Sequence, residues 1–149
     1  MNKLKFKIAT PEKVVYEAEI DQATLPTKLG EITVLPNHIP LVSSLVAGEI
    51  LIKKDGVEIP LATSGGFVEL ASNQMVILAD TAERLEEIDE ARAEEARSRV
   101  KQLMARKDSA EKVDFIALAA KMEKELARLK VARKYKNIKQ GLQIKIEDE

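Results

Sequence analysis

Asp89 and Arg92 stand one helical turn apart in the stretch IDEARA, residues 88–93, and Arg99 follows seven positions later on nearly the same helical face. A carboxylate accepts N–H groups, and a guanidinium presents a rigid fork of donors that suits phosphate or another carboxylate. Glu83 precedes this helix, and Lys121, Lys124 and Arg128 place further cations on a later one. Such a set can hold an anion. The same residues also make an ordinary helix start, in which Asp89 caps, Glu90 complements the positive helix end and Arg92 pairs with an acid. Both readings stand at this point.

Other chemistry is hard to assemble. The chain has one histidine, His38, and no cysteine, so there is no thiolate nucleophile, no disulfide framework and no set of zinc ligands. A lone histidine without a nearby acid or nucleophile makes a poor catalyst, and the scattered carboxylates fall on strand faces or helix surfaces, where solvation explains them. No G-x-x-x-x-G-K-[ST] phosphate loop is present, and Gly65-Gly66 in TSGGFVEL reads as a strand-entry bend. The expectation is a protein without an active site of its own.

The elements that position these residues follow from periodicity. From Leu4 to Asp80 the dominant period is two, in LKFKIA, EITVL, EILIK, VEIPLA, FVEL and MVILA, with Gly, Pro, Asn and Asp between them. Asp55-Gly56 is a hairpin turn, because both positions tolerate positive φ, and Ser72-Asn73 separates a second pair of strands. Several short strands without intervening helices predict an antiparallel sandwich of roughly eighty residues. Pro36 and Pro40 cannot donate to a ladder, so 35–39 should leave the sheet as a loop that exposes His38.

After Asp80 the period becomes helical. Leu85, Ile88, Ala91, Ala96, Val100, Leu103 and Met104 recur at three- and four-residue intervals among Glu, Arg and Lys, which predicts one amphipathic helix. The segment ARKDSAEKVD interrupts it, with Asp108 or Ser109 as N-cap and Glu111 completing a capping box. A second helix carries Phe115, Leu118, Met122, Leu126 and Leu129 as one stripe, with Ala117, Ala119, Ala120 and Ala127 beside it. Two helices on a short link form an antiparallel hairpin whose stripes can cover each other without the sandwich. A hairpin that encloses so little apolar area should be marginally stable and able to open and re-dock. The predicted organisation is an all-β N-terminal sandwich over 1–87, an α-helical hairpin over 88–135 and a tail over 136–149, with 142–146 as a short strand if the tail is ordered.

Composition narrows the partners. Of 149 residues, 3% are aromatic and none is Trp, which disfavours a stacking surface for bases or sugars. Through Glu87 the chain carries eight Lys+Arg against thirteen Asp+Glu, and after it sixteen against twelve, so an acidic part precedes a basic one. The basic end RLKVARKYKNIKQ suits a helix C-terminus and a solvated face, and no nucleic-acid partner is expected. The opening residues show no signal or transit pattern, and no window approaches the ~18 apolar residues of a membrane span.

Three segments, GEITVLPNHIPLV, SGGFVELASNQMVILADTAER and IDEARA, occur in an order and spacing that resemble the epsilon subunits of bacterial F-type ATP synthases. The resemblance runs over roughly residues 3–135. It implies a fold of about ten strands in a β-sandwich with two C-terminal helices. It also implies a noncatalytic central-stalk subunit that couples proton-driven rotation to ATP synthesis. The sandwich would bind the gamma subunit and the c-ring, and the helices, when extended, would reach the alpha and beta subunits and restrain ATP hydrolysis. Location would be the cytoplasmic face of the bacterial plasma membrane, with membrane association only through the complex.

The same resemblance assigns candidate residues. The loop from Gly30 to His38 would face the rotor, with Glu31 near the c-ring and His38 near gamma. In some members the pattern I/L-D-x-x-R-A, matched by Ile88, Asp89, Arg92 and Ala93, takes part in binding ATP and stabilises the folded hairpin. Glu83, Arg99, Lys124 and Arg128 complete the implied ATP set. No cofactor is required, and ATP would act as a regulatory ligand. Ala117 stands where ATP-binding members have a basic residue, and Lys124 substitutes a point charge for a guanidinium fork. A β-sandwich and coiled-coil adaptor without an ATP synthase role is the reading that composition alone leaves beside this one.

Overall fold

A computed structural model of the protein describes residues 2–105 and 114–136. Its order is β1 (Leu4–Ala9), β2 (Val14–Ile20), β3 (Gln22–Thr27), β4 (Gly30–Val34), β5 (Leu41–Lys54), β6 (Val57–Ala71), β7 (Gln74–Ala79), β8 (Ala82–Arg84), a 3-10 turn at Leu85–Glu87, then α1 (Glu90–Ala105) and α2 (Phe115–Lys134). Asp108, Ser109 and Glu111, expected to cap the second helix, and the strand at 142–146 lie outside the described residues, and the N-cap of α2 is Asp114 instead.

Alternation builds the sandwich. In β1, Leu4, Phe6 and Ile8 are buried while Lys5 is exposed, and in β7, Met75, Ile77 and Ala79 are buried while Gln74 and Leu78 face outward. These residues join Ile20, Leu25, Val34, Ile50, Ile52, Leu61, Val68 and Leu70 in one core. The turns follow the expected chemistry, with Asp55 and Gly56 at φ 50° and 77°, and Ser72 and Asn73 at 50° and 59°.

The strand path is β2-β1-β7-β6-β5-β3-β4, with β8 added beside β6. Strands β5 and β6 pair along their whole lengths, from Leu41↔Leu70 to Lys54↔Val57, and serve both layers. The first half of β6 (Leu61–Thr63) pairs with β8 and the second (Gly66–Ala71) with β7, while only the second half of β5 pairs with β3. Counted by layer there are ten strand segments, which reconciles eight continuous strands with the ten-stranded expectation.

Gly65 and Gly66 sit inside β6 where its partner changes, rather than at a strand entry. A Cβ on Gly66 would lie 2.2 Å from the Leu78 carbonyl oxygen, and its φ of 151° disfavours a side chain as well.

The helices differ from expectation in where they start and what they cover. Leu85 and Ile88 precede α1, and Ala91 and Leu103 are exposed; of the expected stripe α1 buries Val100, and Ala93 is buried beside it. On α2, Phe115 and Leu126 are exposed, and the buried set is Leu118, Glu125, Ala127, Leu129, Val131 and Ala132. The physical reason is that the hairpin does use the sandwich. Val131, Ala132 and Tyr135 pack with Ala62, Leu85 and Ile88, backed by Leu51, in a second core between α2 and the sheet. That demand extends the buried face of α2 to Val131, Ala132 and Tyr135, keeping Leu118 and Leu129 of the expected stripe and leaving out Phe115 and Leu126. Asp114 caps α2, accepting from the Ile116 and Ala117 N–H groups at 3.1 Å each. Among the described residues no helix is long and apolar enough to cross a membrane.

Candidate functional site

The segment after β8 is built residue by residue around the second core. Ile88 is 1% exposed and anchors the chain in that core, and Asp89 caps α1 by accepting the Arg92 N–H at 3.1 Å. Ala93, fully buried, allows close approach of the neighbouring elements. Arg92 is thereby left on the outer side of the first turn, exposed, with no carboxylate partner for its guanidinium among the described residues.

Arg92 opens onto a cavity of about 500 Å3 lined by Glu83, Arg92, Glu95, Ala96, Arg99 and Arg128. Three elements meet there: β8 supplies Glu83, α1 supplies Arg92 and Arg99 seven residues apart, and α2 supplies Arg128. Three guanidiniums around one cavity are suited to a polyanion, because each can donate two parallel N–H bonds to phosphate oxygens. The cavity exists only while α2 lies against the sandwich, since Arg128 belongs to α2 and Glu83 to β8.

The acids at the site are as specific as the arginines. Arg128 Nε donates to Glu83 Oε2 at 2.6 Å and Nη1 donates to Glu125 Oε2 at 2.8 Å, with the Arg128 side chain 16% exposed. Burial lowers the Arg128 pKa, but the Glu83 and Glu125 carboxylates outweigh it and hold the group above its ordinary value. Arg99 pairs with Glu95 one turn earlier, on an exposed surface.

Of the residues expected in an ATP set, Glu83, Arg92, Arg99 and Arg128 are brought together, whereas Ile88, Asp89 and Ala93 serve as anchor, cap and close-packing residue behind them. Lys124 does not line this cavity. It lies on the far side of Glu83, in a separate cavity of about 470 Å3 shared with Thr10, Lys13, Asp80, Thr81 and Glu87. Glu125 and Glu95 were not foreseen. Their only sequence signal is spacing, Glu125 three before Arg128 and Glu95 four before Arg99.

Two further contacts hold the hairpin. Arg133 reaches Glu90 at 3.3 Å and Glu94 at 2.9 Å, which sets α1 and α2 antiparallel. At the end of α2, Glu49 of β5 accepts the Tyr135 hydroxyl at 2.8 Å and the Lys134 ammonium at 3.2 Å. Burial first, and the Glu49 carboxylate next, push the Tyr135 hydroxyl pKa up.

The expected rotor contacts lie apart from this cavity. Glu31 is exposed on β4 beside the turn that joins it to β3, so 30–34 is strand rather than loop. His38 is exposed in the loop after β4, where its Nδ1 contacts the Ile39 carbonyl at 2.7 Å. The Asn73 side chain ties this loop to the sandwich by accepting the Asn37 N–H at 2.8 Å.

Comparison with known proteins agrees with this architecture. Residues 3–85 match the family described as ATP synthase, Delta/Epsilon chain, beta-sandwich domain. The ATP synthase epsilon chain of Herpetosiphon aurantiacus is 41% identical over 134 residues, covering 90% of this chain and 97% of that one. That of Chloroflexus aggregans is 44% identical over 133 residues, covering 89% and 94%. Among solved structures, a chain of the Euglena gracilis mitochondrial ATP synthase superposes with a TM-score of 0.71 at 21% identity, over 85% of this chain and 79% of that one. A chain of the Tetrahymena thermophila central stalk and c-ring gives 0.54 at 17%, over 89% and 99%. These two likenesses concern the fold. With the matched sandwich domain and relatives aligned over nearly their full lengths, the chain belongs to the ATP synthase epsilon chain family.

Proposed function

We propose that the protein is a noncatalytic central-stalk subunit of a proton-translocating ATP synthase, and that its C-terminal hairpin regulates ATP hydrolysis in response to ATP. The sandwich binds the gamma subunit and the c-ring, with Glu31 and His38 at the rotor face. The helices, when released, reach the alpha and beta subunits. The complex resides at the cytoplasmic face of the bacterial plasma membrane.

The single observation that carries the regulatory part is the meeting of Arg92, Arg99 and Arg128 with Glu83 around one cavity that α1, α2 and β8 close together. A triphosphate bound there interacts with the folded hairpin and loses the Arg128 side of its site when α2 leaves. Ligand binding therefore shifts population toward the folded form by its differential affinity for the two forms. ATP acts here as a regulatory ligand, not as a substrate, and the surrounding side chains supply charge and orientation only.

Calorimetric titration of the protein with ATP, and with ADP as control, tests this. Saturable binding that prefers ATP supports the proposal. Absence of heat at millimolar ATP, with an unchanged melting temperature, would leave Asp89 and Arg92 as helix-start residues.

A further inference from the structure

Glu125 is the charged residue that the proposed function leaves unexplained. It is 7% exposed, on the face of α2 that otherwise carries Leu118, Ala127, Leu129, Val131 and Ala132. A carboxylate there carries a desolvation penalty that an apolar residue would not. Among the described residues it is compensated by Arg128, from whose Nη1 it accepts at 2.8 Å. Glu83 holds the Nε edge of the same guanidinium at 2.6 Å. Two carboxylates thus occupy donor edges of the cation best placed between helix and sheet to meet a phosphate.

We infer that Glu125 is an internal competitor of the nucleotide's phosphates for Arg128, and that it sets the ATP concentration at which the hairpin is held on the sandwich. This rests on the cavity being the nucleotide site. The charges explain the direction. Arg92, Arg99 and Arg128 face Glu83 and Glu95 across the cavity, so the lining carries one net positive charge, and Glu125 behind Arg128 cancels it. A polyphosphate entering such a neutral set meets an unpaired guanidinium at Arg92, but at Arg99 and Arg128 it gains only by exchanging carboxylate oxygens for its own. The site is thereby made weak by construction and responsive to high rather than trace ligand concentration. Glu125 is a positioning and affinity-setting residue. It does not line the cavity, and it acts through Arg128.

Glu123 separates a role of Glu125 from a general charge effect. Glu123 lies two residues away on the same helix, exposed, and lines a different groove with Val46, Gly48 and Leu126. Glu125→Gln keeps the shape and an acceptor for Arg128 while removing the charge, and Glu123→Gln makes the same change of net charge elsewhere.

Titration of the full chain with ATP by calorimetry, parent against E125Q and E123Q, is the test. The expected result is about tenfold tighter ATP binding by E125Q, from removing one negative charge within several ångströms of the phosphates in a partly buried site, with E123Q unchanged. Glu125→Met, which leaves Arg128 paired to Glu83, is expected to move affinity the same way and serves if E125Q folds poorly. Parent binding with E125Q equal or weaker would overturn the competitor role and leave the nucleotide site standing. No binding by parent, E125Q or E125M at millimolar ATP would overturn the nucleotide site and this inference with it.

Discussion

Arg128 on α2 donates to Glu83 on β8 across 45 residues of sequence, at 2.6 Å. This contact joins the last strand of the sandwich to the second helix, and it lies at the wall of the cavity that also contains Arg92 and Arg99. Folding of the hairpin and formation of this cavity are therefore one structural event.

The first prediction concerns Arg92. Its side chain is exposed and unpaired among the described residues, so Arg92→Ala is expected to leave the melting temperature of the protein alone within error. In the presence of ATP the parent should gain about 2.7 kcal/mol at a hundredfold excess over Kd, and the variant should gain little. Differential scanning calorimetry with and without ATP checks this, and equal gains in both proteins would remove Arg92 from the site.

A second prediction concerns the far end of α2. Glu49 has a side chain 9% exposed and receives both Tyr135 and Lys134. Glu49→Gln should weaken this clamp by about 1.5–3 kcal/mol, the usual range for hydrogen bonds to a charged group. Amide exchange over 129–135 should then accelerate while the strands keep their protection. Unchanged exchange in α2 would mean that the apolar core of Ala62, Leu85, Ile88, Val131 and Ala132 holds the helix unaided.

Removing the hairpin should separate two roles. A chain ending after Glu87 retains the main sandwich core but exposes Ala62, Leu85 and Leu51. It is expected to fold with reduced solubility, to join the complex, and to relieve restraint on ATP hydrolysis. Hydrolysis rates of the reconstituted enzyme with full and shortened chains measure this, and identical rates would place regulation outside the helices.

One part of the pH dependence should come from the corner where Lys3, Asp21 and Asp55 meet. Asp21 accepts from Lys3 and from the Asp55 N–H at 2.6 Å, and the Lys3 bond is the larger cause of its lowered pKa. A carboxyl depressed in the folded state contributes stability that is present above its ordinary value of 3.8 and is lost as pH falls through the folded value. Lys3, raised chiefly by the same bond, contributes below 10.5 and loses its contribution as pH rises past its folded value. Asp21→Asn should flatten both limbs of a denaturation profile against pH, and a profile parallel to that of the parent would contradict this.

Much of the sandwich was legible because its signals are local. Alternation in β1 and β7, and positive φ at Asp55-Gly56 and Ser72-Asn73, need no knowledge of distant neighbours. The helical faces were legible only in part, at Val100, Leu118 and Leu129. Phe115 and Leu126 have the spacing of a core stripe, yet the face of α2 that is buried is fixed by Ala62, Leu85 and Leu51 on the sandwich, which no helical periodicity reports. At the candidate site, Asp89, Arg92 and Arg99 were readable from one helix. Glu125 and Glu49 were not, because their roles depend on partners brought together by packing, and the pairing of Glu49 with Tyr135 spans 86 residues. Lys124 shows the converse, since a basic residue one turn from Arg128 falls on the other side of Glu83.

Hydrogen exchange of α2 as a function of ATP concentration reads binding and hairpin docking together in one measurement. A saturable slowing of exchange over 118–132 is expected in the parent, shared with α1, absent in Arg92→Ala and shifted to lower ATP in E125Q. Exchange in α2 that is identical with and without millimolar ATP would contradict it.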